Sequence, residues 1–404
     1  MLKKLKLSGF FLMIVLALSC GQNPKVKEVK DVKDVKEVKE VKEVKKTSDS
    51  LTIAAANTIL DDQASFISGL ASGKTECLLK LNSSKKWNLY AKDLDSLFSH
   101  TNSFRIKKMR NWADSELVSN QSVTTVFYPF SGPDFLTADI FYPDADQYIM
   151  IGMEPIGYIP DICKMQPDSA TSYLNTINNA LKDIFKRSYF ITMTMGSDLR
   201  KTKANGTTPL ISLFIKRTGH QILSIHRIGV DSLGKLQVFD SMKYKKSTVP
   251  GIKIDFLSLS KNKVQSVFYF RTDISDKGLA KYPGFKTYMS QLPQSFSYLK
   301  AASYLMHSNE FKIIRDVIFD ISVTILQDDS GIAYKYFDKT KWDIRLYGKY
   351  QKPGTEFSYI SEPDLQKAYN KAKYRPLSYT IGYNRRAGNS NMLYAIKIKP
   401  VAKK

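Results

Sequence analysis

Histidine, tryptophan and cysteine are scarce in this chain, with four, three and three residues among 404. The scarcity narrows the available chemistry. No HExxH occurs, and no CxxC, so zinc-hydrolase and thiol-redox readings have no motif to stand on. GxSxG, the P-loop pattern and GxGxxG are missing as well, which removes the standard signatures of α/β-hydrolases, P-loop nucleotide enzymes and dinucleotide binders. No cofactor is therefore expected. No apolar run reaches the roughly 20 residues that a bilayer-spanning helix needs; the longest lies between Leu7 and Ser19.

Negative charge is also short. Acidic residues number 38 against 61 basic ones, for a net charge of +23. Three of those lysines precede the apolar run, and the tract 25–46 holds nine lysines against six acids, which leaves about +17 on the remainder. The excess is spread widely, with short clusters at Lys107-Lys108-Met109-Arg110, Arg200-Lys201 and Lys243-Tyr244-Lys245-Lys246. Such a surface attracts anionic headgroups, polysaccharides or nucleic acid. No motif of a nucleic-acid reader accompanies it, so nucleic acid is not an expected partner and a solvated lysine-rich surface accounts for the pattern.

What is present begins at the N-terminus. Lys3, Lys4 and Lys6 form a basic start, an apolar stretch follows, and Leu16-Ala17-Leu18-Ser19-Cys20 closes it with small residues. That order is a cleavable export signal over residues 1–19, to be left out of fold reasoning. Its end resembles the lipobox of bacterial lipoproteins, on Ala17, Ser19 and Cys20. The resemblance implies that the Cys20 thiol carries diacylglycerol and that the mature protein is anchored to a membrane of the cell envelope. Two or more acyl chains give stable anchoring, since each buried CH₂ contributes ~0.8 kcal/mol. Gly21 in place of aspartate implies, by the same resemblance, the outer membrane. The expected partners are thus the membrane, through the lipid, and an envelope ligand, glycan or protein.

From Lys25 to Lys46 valine recurs at every third position from 26 to 44. A period of three matches neither the 3.6 of an amphipathic helix nor the 2 of a strand. Residues 20–46 are accordingly expected to be the lipidated cysteine and a solvated, extendable tether. Residues 47–404 hold the folded region, one elaborate domain or two closely packed ones. Its 23 tyrosines and 22 phenylalanines exclude a disordered chain. Cys77 and Cys163 remain after Cys20; in an oxidising compartment they form a disulfide or stay as two buried thiols.

The expected fold class is mixed α/β: a buried βαβ unit, an antiparallel β meander and several packed helices. Segments within 48–98 read helical, including one from Trp87 to Phe98. Residues 123–130 and 148–153 are apolar on both faces, as buried strands are. Between them Ser131-Gly132-Pro133-Asp134 punctuates the chain and opens a short helix. A long helix is expected from Ser169 to Lys186. Strands at 221–230, 235–239, 252–259 and 264–271, separated by tight turns, predict the meander. Helices are expected again over 295–306 and 310–327, the latter on a three–four rhythm from Phe311 to Ile325. Aromatic strands and a helix opening at Ser361-Glu-Pro-Asp364 fill the tail. Segments at 127–134, 153–157 and 326–331 resemble those of uncharacterised exported bacterial proteins, a resemblance that carries no activity.

Three constellations invite a chemical reading. Ser297-Tyr-Leu-Lys300 spells the SxxK of penicillin-binding proteins, and Arg217-Thr218-Gly219 echoes their KTG. The echo precedes the SxxK where the family order places it after, and Ser297 falls in an expected helix. His220 and His226, six apart on one strand, should share a face, but no carboxylate stands at a matching position. The third follows from topology: in a βαβ unit the C-terminal ends of both strands open on one side of the sheet, where open α/β sheets bind ligands. Ser131, Gly132 and Asp134 would then lie near Glu154. Two carboxylates beside a helix start could bind a hydroxyl-rich ligand or a cation, or exchange protons as in a hydrolase. The same residues also suit a helix cap and a surface ion pair. Asp328-Asp329-Ser330 is a further acidic turn, expected to end a helix.

Overall fold

A computed structural model describes residues 58–71, 73–117, 122–187, 205–239, 247–383 and 390–398. The lipobox with Cys20, the tether 25–46 and the clusters at 200–201 and 243–246 lie outside them. By contacts, Thr52–Lys404 forms one compact unit.

The strands are β1 (Thr125–Tyr128), β2 (Gln147–Gly152), β3 (His220–Val230), β4 (Leu236–Phe239), β5 (Val249–Ser258), β6 (Lys263–Arg271), β7 (Ser295–Leu299), β8 (Ser322–Gln327), β9 (Trp342–Gly348) and β10 (Asn391–Lys397). They build one mixed sheet of ten, in the order β4-β3-β5-β6-β2-β1-β7-β8-β10-β9. The five central strands, β6-β2-β1-β7-β8, all run parallel. Antiparallel pairs flank them on both sides. The fold is mixed α/β, with the expected meander as β3 to β6 and the expected βαβ unit as β1, a helix at Phe135–Phe141, and β2.

The central strands are apolar throughout because both of their faces are covered. In β1, Val126 and Tyr128 belong to one buried cluster and Phe127 to the other, the alternation a pleated strand imposes. The first cluster takes the inward faces of helices α1 (Thr58–Ile67) to α7: α2 (Glu76–Asn82), α3 (Lys85–Thr101), α4 (Lys107–Glu116), α5 (Phe135–Phe141), α6 (Pro167–Arg187) and α7 (Thr208–Arg217). The second takes α8 (Asp276–Lys281), α9 (Pro283–Ser290), α10 (Lys312–Ile321) and α11 (Pro363–Lys371). The result is a helix–sheet–helix sandwich. α3 starts where Ser84 accepts a hydrogen bond from the Trp87 amide. It buries Trp87, Tyr90, Ala91 and Leu94 and leaves Leu89 outside. Cys77 in α2 and Cys163 are joined as a disulfide, with Cα atoms 5.8 Å apart.

Two expected helices are corrected. Residues 295–306 form β7 and a tight turn rather than a helix: Phe296 and Tyr298 face one cluster, while Ser295 and Ser297 are fully buried with their hydroxyls bonded. Residues 310–327 are not one helix either. The three–four rhythm holds through Ile314, Ile318 and Ile321, and the chain then passes directly into β8 at Ser322. No glycine or proline marks that junction. The β-branched run Val323-Thr-Ile325 prefers the pleated strand, and pairing with both β7 and β10 decides the matter.

Candidate functional site

The C-terminal ends of β2, β1, β7 and β8 share one edge of the sheet, because these strands are parallel neighbours. At the end of β1 the backbone turns through Phe130 and Gly132, both at positive φ (61° and 53°). This turn seats Ser131 against β2: its amide donates to the Ile151 carbonyl at 2.9 Å. Gly132 lies beside Gly152, and a side chain added at Gly152 would meet both the Gly132 Cα and the Glu154 carboxylate. Ser131, Gly132 and Glu154 are therefore brought together.

Asp134 is turned away from that group. It caps α5, its Oδ1 accepting from the Thr137 amide at 3.3 Å. Its Oδ2 accepts from the Thr137 hydroxyl at 2.5 Å and from the Tyr128 hydroxyl at 3.0 Å. It also pairs with Lys300 Nζ, at the end of β7. Both charged side chains are buried, at 2% and 1% exposure. Burial pushes the Lys300 ammonium below the usual lysine range, although Asp134 pulls the other way. The Tyr128 phenol is held well above its ordinary value by burial and by the neighbouring carboxylate. Glu154 is equally buried, and among the described residues its side chain hydrogen-bonds only the Tyr269 hydroxyl, 3.3 Å from its Oε2. Asp134 and Glu154 share no hydrogen-bond partner among the described residues.

The next strand end carries more acid. After β8, Asp328 accepts at Oδ2 from the Ala301 amide (2.9 Å) and at Oδ1 from the Ser330 amide and hydroxyl. Gly382, at φ 66°, presses so close that any side chain there would overlap the Asp328 carboxylate. Asp329 accepts from the Tyr304 hydroxyl at 2.7 Å. Burial, and then the charge of Asp328, raise its pKa to about 7. Glu362, at the start of α11, is raised to about 8 by burial and then by Asp329 and Asp328. Its Oε1 lies 3.7 Å from His307 Nε2, and burial lowers His307 to about 4. Among the described residues, Glu362 Oε2 and His307 Nε2 are buried without a hydrogen-bond partner. The turn that brings Tyr304 and His307 here runs through Ala301, Ser303 and Tyr304, all at positive φ (51°, 54° and 55°). Such residues cost of order 1–3 kcal/mol each and persist only where their surroundings hold them.

Other sequence candidates come apart. Ser297 and Lys300 do not meet as an SxxK pair: Ser297 bonds Ser322 across the sheet, and Lys300 reaches Asp134. His220 and His226 do not share a face, because a bulge between Ile222 and Ser224 shifts the alternation of β3. His220 is buried against Asp139 at 3.3 Å, while His226 is exposed. Sequence reading took Lys300 only as the lysine of an SxxK and gave no role to Tyr304, His307 and Glu362. Lys300 and Tyr304 fell inside an expected helix, His307 lay between two of them, and Glu362 was read only as part of a helix start. Among the described residues no three acidic, histidine or cysteine side chains are placed to hold a metal ion. None of the described helices is long and apolar enough to cross a membrane. Comparison with known proteins finds no matching family model, no similar curated protein and no similar solved structure.

Proposed function

We propose that this chain is a lipid-anchored protein of the bacterial cell envelope, held at the outer membrane through Cys20, whose folded region is a binding module rather than an enzyme. The observation that supports the second half is the state of Asp134. Its two oxygens already serve four donors, one of them the buried Lys300. A carboxylate so engaged, and 2% exposed, acts as a helix cap and ion-pair partner rather than as an acid or base that a substrate could reach. The anchoring half rests on the order of charged start, apolar run and Ala17-Leu-Ser-Cys20.

Two measurements test the reading. Cys20→Ala should leave the membrane fraction or remain unprocessed; a variant that is still acylated and sediments like wild type refutes the anchor. The mature full chain should melt at a higher temperature in the presence of solubilised envelope material, and no shift at saturating amounts refutes the binding module. A second reading, an envelope hydrolase, draws on one observation: Asp329 and Glu362, raised to about 7 and about 8, sit where acid–base exchange near neutral pH is easy. Release of products from envelope glycans or peptides, abolished in Glu362→Gln while the fold is retained, would favour it over the first.

A further inference from the structure

Beside the edge strand β9 lies a groove of about 300 Å³, between the end of that strand and the outer side of α11 with the segment that follows. This is the low end of small-ligand sites. Its polar side chains are Lys349, Tyr350, Gln366, Asn370, Lys373 and Tyr374. Among the described residues no carboxylate lines it. Among the described residues none of these six side chains makes a hydrogen bond or ion pair, in contrast to Asp134. The floor is held in place. Tyr369 donates its hydroxyl to the carbonyls of Tyr347 (3.1 Å) and Met392 (3.2 Å), and its ring lies 6.2 Å from that of Tyr350. Tyr374 stands at the rim with 60% of its surface exposed.

We infer that this groove binds an acidic oligosaccharide, a chain of uronic-acid type. The inference deepens the binding-module reading and rests on it. Three features converge on that ligand. The rings of Tyr350 and Tyr374 offer flat apolar faces with polar edges, suited to the C–H face of a sugar. Gln366 and Asn370 stand one helical turn apart on α11, and each amide presents donors and an acceptor side by side. A hydroxyl, which donates and accepts, satisfies both halves of an amide; a carboxylate alone, acceptor only, leaves the amide oxygens unmet. Lys349 and Lys373 supply positive charge that no ion pair takes up among the described residues, while Glu362 and Asp329 lie buried beyond the floor tyrosines. The surrounding excess of lysine favours an anionic ligand at long range as well. An acidic peptide can meet the lysines and, through its backbone, the amides, but it offers no flat C–H face to the tyrosine rings; a neutral glycan matches the rings and amides and not the lysines.

The test is calorimetric titration of the mature full chain with oligogalacturonate, beside maltoheptaose and polyglutamate. Oligogalacturonate should bind, and its affinity should fall as salt screens the lysines. Tyr374→Ala should weaken binding about tenfold, the scale of one well-placed aromatic contact. Lys349→Gln with Lys373→Gln should weaken it by about the same factor and flatten the salt dependence. All three positions are solvent-facing, so the variants should melt like wild type. Maltoheptaose or polyglutamate binding as tightly as oligogalacturonate overturns the inference, as does a Tyr374→Ala variant with unchanged affinity. If oligogalacturonate gives no heat while envelope material still raises the melting temperature, the groove assignment falls and the binding-module reading stands. If neither has an effect, both fall.

Discussion

Removing Lys300 is the sharpest test of how this fold is held together. Lys300→Met keeps most of the side-chain volume and deletes the charge. Asp134 would stay 2% exposed with the Tyr128 and Thr137 donors and the buried Arg105 charge around it. A buried ion pair broken on one side costs about 3–5 kcal/mol, because the remaining charge is uncompensated. Asp134→Asn alone should also be costly, since it removes the carboxylate paired with the buried Lys300 ammonium and leaves the Thr137 hydroxyl and the charge of Asp328 in its place. The double variant should recover much of the loss, as replacing both charges of a buried pair is often nearly neutral. A double-mutant cycle in urea then reads a coupling at least as large as one single loss, about 3 kcal/mol or more, at or above the top of the range for residues in direct contact. Lys300→Met costing less than about 1 kcal/mol, or strictly additive effects, would show that the pair does not stabilise the strand ends as argued.

Three further outcomes are expected. The folded-state pKa values of Asp329 and Glu362 lie above their unfolded values, so their contribution to stability is present below about pH 4 and lost as pH rises through about 7 and about 8. Urea midpoints should therefore drop between pH 6 and pH 9, by less in Glu362→Gln; a flat wild-type profile would contradict the burial argument. Gly382→Ala should destabilise by more than about 1 kcal/mol, since alanine must adopt φ 66° with its Cβ against the Asp328 carboxylate, and a wild-type melting curve would refute that. Trypsin should cut the intact chain first between Lys25 and Lys46, as the charged triplet pattern implies, and a first cut elsewhere would count against the tether.

The parallel centre of the sheet was legible around β1 and β2 because strands covered on both faces read as unbroken apolar runs, and the helix between them carries its own start signal in Pro133-Asp134. The meander was legible for a different reason: Asp231-Ser-Leu-Gly234 and Ser260-Lys-Asn262 are turns that local chemistry alone specifies. β7 and β8 were not. Each follows or resembles a helical apolar rhythm, and what makes them strands is hydrogen bonding to β1, to each other and to β10, partners far away in the chain.

The same division runs through the candidate site. Local residue types determined that Asp134 would cap a helix and that Ser131 and Gly132 would turn toward the end of the second strand, since a cap and a tight turn need only their immediate neighbours. Only the tertiary structure decided what Asp134 is for. Its ion-pair partner is 166 residues away, brought near because β7 pairs beside β1. Glu362 and His307 likewise meet across the ends of separate elements. Burial of a charge and the identity of its partner depend on which strands lie side by side, and that is settled by long-range pairing and packing rather than by any neighbourhood in the sequence.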